Sequence, residues 1–508
     1  MEKVRRSKLL GAEVTGDVGT LLWCRAATAG TTARRSGRAA GRATERVLLA
    51  DVATTAATAR SAAAVGSHMS STKACFIVFL LFILSIKTST TPIRYDGAKI
   101  YQFDCPKQLL EVLKRKMKTS PTTRSFEIWS LRPGNSMNAI AFVAPEQQRR
   151  FERLLKKSRL NYSILNRNIQ AAHDAEKAEM TRRRRKLMST EKGTISVDQY
   201  HTLEEMEKYL KEVAELFPER IQLFEASKTY QGRKIYALKI SNCIKCPSTK
   251  PSALVNAGFH AREWMSHASA IYIINEFVHN SKDPKIKWLL DRFDWYFVPN
   301  ANPDGYVYTM NEDRLWRKTM SKHKGGVGVD MNRNYGYHWG EEKEAKDPAE
   351  EVFAGTGPLS EVETKGLAKF VDENVKNLTI FFDIHAFMQS FLLPWGYTKE
   401  KPKHFGYLMD GCTRILEAIK KFNGNKYNCG TPVELLYPVS GSAMDYYHSK
   451  GVPLSYSVEV RPFSKDNEMS DKEFLASMSA PASMIVPTGQ EMLVSLYELG
   501  QYYYSPKQ

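Results

Sequence analysis

Pro251-Ser252-Ala253-Leu254-Val255-Asn256-Ala257-Gly258 runs into Phe259-His260-Ala261-Arg262-Glu263, and Trp264 to Phe277 follows. The first run is short, apolar and closed by a glycine, the pattern of a buried strand. The last carries apolar residues at helical spacing. His260 and Glu263 therefore fall at a strand end, where open α/β sheets place their sites. Far downstream stands Asp383-Ile384-His385. Two imidazoles and one carboxylate form a donor set suited to a catalytic zinc, with a fourth position open to water. Taken alone, His-x-x-Glu is a weak signal, since such pairs also occur on solvated faces, so the rest of the chain has to support it.

Working outward, Ile235 to Ile240, Ala253 to Val255, Trp295 to Pro299 and Leu378 to Ile384 read as strands. Leu203 to Leu216, Glu361 to Asn374 and Met484 to Tyr502 read as helices. This alternation over residues 190–508 predicts an α/β domain with a mainly buried sheet. Upstream, Tyr101-Gln102-Phe103-Asp104, Phe126 to Leu131 and Ala139 to Val143 alternate like strands, and Pro106–Met117 and Pro145–Lys156 read as amphipathic helices. Residues 95–186 are thus expected to form a small antiparallel sheet with two helices, a ferredoxin-like α/β unit. The basic run Arg182 to Lys186 is expected to be a flexible link between the two units and a site for a trypsin-like or furin-like protease.

Residues 1–68 are rich in Ala, Thr, Arg and Gly, a disordered composition. Residues 69–90 read as a signal peptide: Lys73, an apolar stretch from Ala74 to Leu84, then a polar tract. The stretch is too short to span a bilayer comfortably. A signal beginning only at Met69 suggests that the upstream extension is absent from the functional protein, and it implies a secreted product with no stable membrane insertion. The formal charge of +18 invites a nucleic-acid reading. Much of the excess, however, lies in the first 68 residues and between Lys107 and Lys186, outside the segment with the metal motif, so no nucleic-acid partner is expected. Beyond Cys24 and Cys75 there remain Cys105, Cys243, Cys246, Cys412 and Cys429. Cys412 with Cys429, or Cys243 with Cys246, could pair in an oxidising compartment, and sequence does not decide between them.

Further clusters follow in order: Asn300 to Tyr306, Arg314-Leu315-Trp316-Arg317-Lys318, Asp330-Met331-Asn332-Arg333-Asn334, Tyr437 to Ser442, and Glu459-Val460-Arg461. With His260-Ala261-Arg262-Glu263 and His385, this order resembles the zinc metallocarboxypeptidases of the pancreatic carboxypeptidase A/B type, over roughly residues 95 to 505. The resemblance implies a mixed, mainly parallel central sheet flanked by helices, preceded by an activation domain. It implies one Zn²⁺ held by His260, Glu263 and His385, with Asp330 as the acceptor that fixes the His260 tautomer. Glu459 would be the general base. Arg317 would stabilise the oxyanion. Arg333 would grip the substrate's terminal carboxylate through two parallel hydrogen bonds, with Asn332 adding a donor. Tyr437 would close over the terminal residue, and Arg262 would contact the substrate further from the cut bond.

The resemblance also implies that specificity depends on Met444, whose apolar side chain favours terminal aromatic or large aliphatic residues. A slip of one residue would put Asp445 there and select basic residues instead. Ser442 stands in place of a frequent glycine, Phe387 in place of a frequent tyrosine, and Gly325-Gly326 where a cysteine is usual. The expected protein is a secreted, monomeric zymogen, cleaved near 182–187, that removes residues from peptide C-termini. A non-catalytic peptide-binding relative is the alternative. Asn161 and Asn377 stand in glycosylation sequons.

Overall fold

The computed structural model describes residues 92–117, 125–132, 137–186, 191–461 and 480–505, all within a compact unit spanning Thr91–Gln508. The expected extension over 1–68, the signal peptide over 69–90, and residue 187 of the expected cleavage region lie outside the described residues.

The first part of this unit reads β1 (Lys99–Cys105), α1 (Lys107–Met117), β2 (Phe126–Arg132), β3 (Met137–Val143), α2 (Pro145–Lys157) and β4 (Tyr162–Asn166). The strands pair antiparallel in the order β2-β3-β1-β4. This is the split βαβ arrangement expected for residues 95–186. A long helix, α3 (Ile169–Lys186), follows. The basic run expected to be a flexible link is instead helical as far as Lys186. Arg, Lys, Glu, Ala and Met are strong helix formers, and cations at a helix's last turn complement its dipole. Arg183 is also held by Glu179 at 2.9 Å and Asp198 at 3.2 Å.

The second part opens with α4 (Leu203–Leu216), started by a capping box in which Thr202 and Glu205 satisfy each other's backbone N–H groups. Its sheet is built from β5 (Ile221–Lys228), β6 (Lys234–Ile240), β7 (Ser252–Ala257), β8 (Asp294–Val298), β11 (Leu378–Ala386), β12 (Ser390–Leu392), β13 (Asn428–Gly430) and β14 (Leu454–Val460). The two-residue strands β9 (Lys322–His323) and β10 (Gly326–Val327) form a separate hairpin, with Gly325 at φ 99° in its turn. The sheet order is β13-β12-β14-β11-β7-β8-β6-β5. Its centre, β14-β11-β7-β8, is parallel, and its antiparallel pairs lie toward the edges.

Helices cover both faces. α5 (Trp264–His279), α6 (Pro284–Arg292), α9 (Phe405–Asn423) and α12 (Ile485–Tyr504) pack on one side, against Val255, Ile380, Phe382 and Val458. α8 (Val362–Asn374) and α11 (Ala443–Ser449) pack on the other, against Leu254, Tyr296 and Phe381. Burial on both faces is why the parallel strands read as continuous apolar runs. The remaining short helices are α7 (Pro303–Asn311) and α10 (Pro432–Leu435). Both candidate cysteine pairs are bonded, Cys243–Cys246 and Cys412–Cys429, and Cys105 is free and buried. Among the described residues no helix is long and apolar enough to cross a membrane.

The carboxyl ends of β7, β11 and β14 carry the site. β7 ends at Ala257, and Gly258 turns the chain with φ 77°. A Cβ at Gly258 would come within 2.4 Å of His267 Nε2, so only glycine fits. Parallel register places His385 directly beside Glu459 on the neighbouring strand.

Candidate active site

His260, Glu263 and His385 bring one donor atom each to within 4.8 Å of one another, all buried. His260 Nδ1 lies 2.8 Å from Glu263 Oε1, His385 Nδ1 lies 3.3 Å from Glu263 Oε2, and the two Nδ1 atoms are 3.1 Å apart. A tetrahedral centre about 2.0–2.1 Å from its ligands needs donors roughly 3.3–3.4 Å apart, so this spacing fits a zinc ion. The outer ring nitrogens are also anchored. His260 Nε2 lies 3.0 Å from Asp330 Oδ1, and His385 Nε2 lies 2.7 Å from Asp383 Oδ2. Each carboxylate holds the outer proton, which leaves both Nδ1 lone pairs facing the centre. The donor set therefore fits zinc.

Asp383 is a residue that sequence reasoning left without a role. It stands two positions before His385, so both project from the same face of β11. Asn256 on β7 donates to its other oxygen at 2.7 Å. The signal was present in Asp-x-His on an apolar strand, but such a pair reads equally as an isolated polar residue.

Asp330 is fully buried and accepts from four donors. Oδ1 takes Asn332 N–H at 2.9 Å and faces His260, while Oδ2 takes Arg317 Nε at 3.1 Å and Nη2 at 2.8 Å. Burial opposes its charge, but Arg317, His260 and Arg333 hold the carboxyl well below the usual carboxylate range. Burial likewise opposes the charge of Arg317, which Asp330 and Glu263 nonetheless keep firmly protonated. Arg317 is thereby held beside the metal ligands, with Nη1 3.5 Å from Glu263.

Glu459 behaves differently. Burial and then the Glu263 charge push its carboxyl up to about 7. A carboxyl poised there can take and return a proton near neutral pH, and a bound cation would act in the opposite sense.

All of the predicted site residues line one cleft: His260, Arg262, Glu263, Arg317, Asn332, Arg333, His385, Tyr437, Met444 and Glu459. Arg333 is buried and donates to the Asn332 carbonyl at 2.9 Å, whereas Tyr437 is exposed at the rim. Asn332 accepts from Ala443 N–H, tying this loop to the start of α11. Ser442 and Phe387 also line the cleft. Ser442 caps α11 by accepting from Asp445 N–H at 3.2 Å. Met444 packs with Leu392 and Leu436. Asp445 faces away, with its two oxygens accepting from Gly396 N–H at 2.8 and 3.1 Å, and burial raises its carboxyl to about 8.

The loop from Lys343 to Gly357 is tied down by Lys318 and Asn334. Lys318 donates to the Pro348 and Glu350 carbonyls, and Asn334 donates to those of Ala354 and Gly357. Arg262 is already engaged. Its Nη1 donates to Glu127 of β2 at 3.0 Å and to the Leu315 carbonyl at 3.2 Å. Arg314 is held in the same way by Glu176 of α3, at 2.6 and 3.1 Å.

Two family models match the chain, "Zinc carboxypeptidase" over residues 206–495 and "Carboxypeptidase activation peptide" over residues 107–176. Zinc carboxypeptidase A 1 of Anopheles gambiae is 31% identical over 425 residues, 83% of this chain and 93% of the relative. Carboxypeptidase A4 of Mus musculus is 34% identical over 67% of this chain and 78% of its own length. Among solved structures, thrombin activatable fibrinolysis inhibitor superposes with a TM-score of 0.69 at 25% identity, covering 80% of this chain and 100% of that one. Carboxypeptidase A from Helicoverpa armigera gives 0.69 at 27% identity, over 80% and 98%.

Proposed function

The chain belongs to the zinc carboxypeptidase family, and from that premise we propose that it removes aromatic or large aliphatic residues from peptide C-termini. It is a metallocarboxypeptidase with an activation peptide, it acts on peptide C-termini and it uses one catalytic zinc. Zinc, when bound by His260, Glu263 and His385, supplies a Lewis acid that makes a water nucleophilic near neutral pH.

The chain's own residues take the following roles. Arg333 binds the substrate's terminal carboxylate, with Asn332 and Tyr437 adding donors. Arg317, held by Asp330, stabilises the charge that develops on the carbonyl oxygen. Glu459 takes the proton of the attacking water and returns it to the leaving amine. Arg262 binds substrate away from the cut bond once Glu127 is gone.

The observation that carries the specificity reading is the direction of two adjacent side chains. Met444 faces the cleft among Leu392 and Leu436, while Asp445 is turned to the Gly396 amide. An apolar floor without a free carboxylate favours apolar terminal side chains over Lys or Arg. The occupation of Arg262 by Glu127 supports reading residues 95–186 as an inhibitory activation domain and 190–508 as the catalytic domain. On this reading the protein is secreted and acts as a monomer, and a trypsin-like protease activates it near 182–187.

The test is hydrolysis of matched blocked dipeptides ending in Phe, Leu, Arg or Lys, after trypsin treatment, with and without a chelator. Chelator-sensitive activity that prefers Phe or Leu by at least about a hundredfold is expected. A preference for Arg or Lys would overturn the specificity reading, and absence of activity on all four would favour a non-catalytic relative.

A further inference from the structure

The excess positive charge seen in the sequence has no part in the cleft. Some of it gathers on one helix of the activation domain. α2 buries Phe151 and Leu155, and its remaining surface exposes Arg149, Arg150, Arg153, Lys156 and Lys157, with Arg159 just beyond its end. Among the described residues none of these six cations forms an ion pair. Of the helix's two acids, Glu146 is exposed in the first turn, one turn before Arg149 and Arg150, and Glu152 is turned to the sheet, bonding Tyr101 at 2.7 Å and lying 3.8 Å from Lys99.

The direction of this face follows from the alternation of the strands beneath it. Ile100, Ile140 and Phe142 join the core shared with the catalytic domain. Tyr101, Phe103, Ala139 and Ala141 lie under α1 and α2, with Leu110, Phe151 and Leu155. α2 therefore sits on the sheet face turned away from the catalytic domain, with its cations open to solvent before the activation domain is removed.

We propose that this face of α2 docks a linear sulfated polysaccharide, which holds the uncleaved protein on an anionic matrix and releases it when the activation domain is cut away. From Arg149 to Lys157 the helix presents its cations along about 12 Å, a row suited to an extended polyanion. Four of the six are arginines, whose planar forks bind sulfate oxygens in pairs. Phe151 is buried, so the face offers no ring on which a nucleic-acid base could stack. Leu155 is buried as well, so this face lacks the apolar side that an interfacial helix sinks into a bilayer. The choice of a polysaccharide over nucleic acid also rests on the proposed secretion.

The test compares the uncleaved protein with a variant carrying Arg149→Gln, Arg153→Gln, Lys156→Gln and Lys157→Gln, on immobilised heparin, duplex DNA and phosphatidylserine-containing vesicles. Taking the coefficient for duplex DNA as a guide, raising NaCl from about 50 to about 200 mM should weaken heparin binding about 10³-fold for six contacts and about tenfold for the two that remain. Equal melting temperatures and equal activity after trypsin treatment show that the variant is folded. The activated enzyme, freed of its activation domain, should lose this salt dependence. A variant with the wild-type salt slope, or an activated enzyme with undiminished affinity, overturns the proposal. Tighter binding to DNA or vesicles than to heparin at equal salt also overturns it, and DNA preference would count against the secretion reading separately.

Discussion

Replacing Asp330 by Asn tests whether one buried carboxylate organises both the metal and the oxyanion group. Oδ1 serves His260 and Asn332 N–H, while Oδ2 serves two N–H groups of Arg317, at 2.8 and 3.1 Å. An amide has one acceptor and one donor end, so it satisfies one side only. With its oxygen kept toward His260 and Asn332, its NH₂ would face the guanidinium, and Arg317 would lose two charge-assisted bonds of about 1.5–3 kcal/mol each. Breaking a buried pair by neutralising one partner costs about 3–5 kcal/mol, because the remaining charge is uncompensated. Arg317 would then leave its place beside Glu263. Loss of one oxyanion donor lowers kcat by roughly 10²–10³. Zinc affinity should fall by about 10–100-fold, because a neutral amide oxygen replaces the carboxylate behind the His260 imidazole.

The assay uses the trypsin-activated enzyme. It measures kcat and KM on the best substrate, zinc affinity by chelator competition, and the melting temperature with and without metal. The expected pattern is a large fall in kcat with KM little changed, weaker zinc binding and a lower melting temperature. If kcat stayed within threefold of wild type with zinc bound, the shared-carboxylate reasoning would be refuted.

Three further perturbations bear on other parts of the structure. Glu459→Gln should retain zinc, as read by metal analysis, and lower kcat by roughly 10²–10⁴; near-normal turnover would exclude its role as base. Glu127→Ala removes the acidic partner of Arg262, so the uncleaved protein should gain activity by roughly tenfold, whereas an unchanged basal rate would mean that the bond contributes nothing to latency. Glu363 is fully buried, and burial raises its carboxyl from 4.5 to about 7. Because the folded state then binds more protons than the unfolded one, stability should fall by about 3 kcal/mol as pH rises from about 4.5 to about 7. Melting curves across this range should lose that slope in Glu363→Gln, and parallel profiles for variant and wild type would contradict the assignment.

The elements legible in the sequence are those whose signal is local. β7 and α5 announced themselves by an apolar run, a glycine and a helical repeat, and α4 appeared with its bounds unchanged. The three-residue strands β12 and β13 carry too little pattern to show. β4 was also missed. The basic run at Arg182 misled, because charge density favours both a solvated linker and the end of an Arg-rich helix, and only the helix's length distinguishes them. The metal ligands were legible as residue types, and the ordered resemblance supplied their partners.

Sequence by itself determined the α/β class, the split into a small antiparallel unit and a larger one with a buried sheet, and the set of side chains available for zinc chemistry. These follow from periodicity and residue chemistry, which do not need a third dimension. Tertiary structure alone decided that Asp383 as well as Asp330 anchors an imidazole, that both candidate cysteine pairs close, and that α2 turns its cations to solvent. It also decided which of two adjacent residues meets the cleft. Met444 and Asp445 are neighbours in sequence, but a helix turns about 100° per residue, and the Ser442 cap sets the phase of α11. That phase puts the methionine among Leu392 and Leu436 and the aspartate on the Gly396 amide.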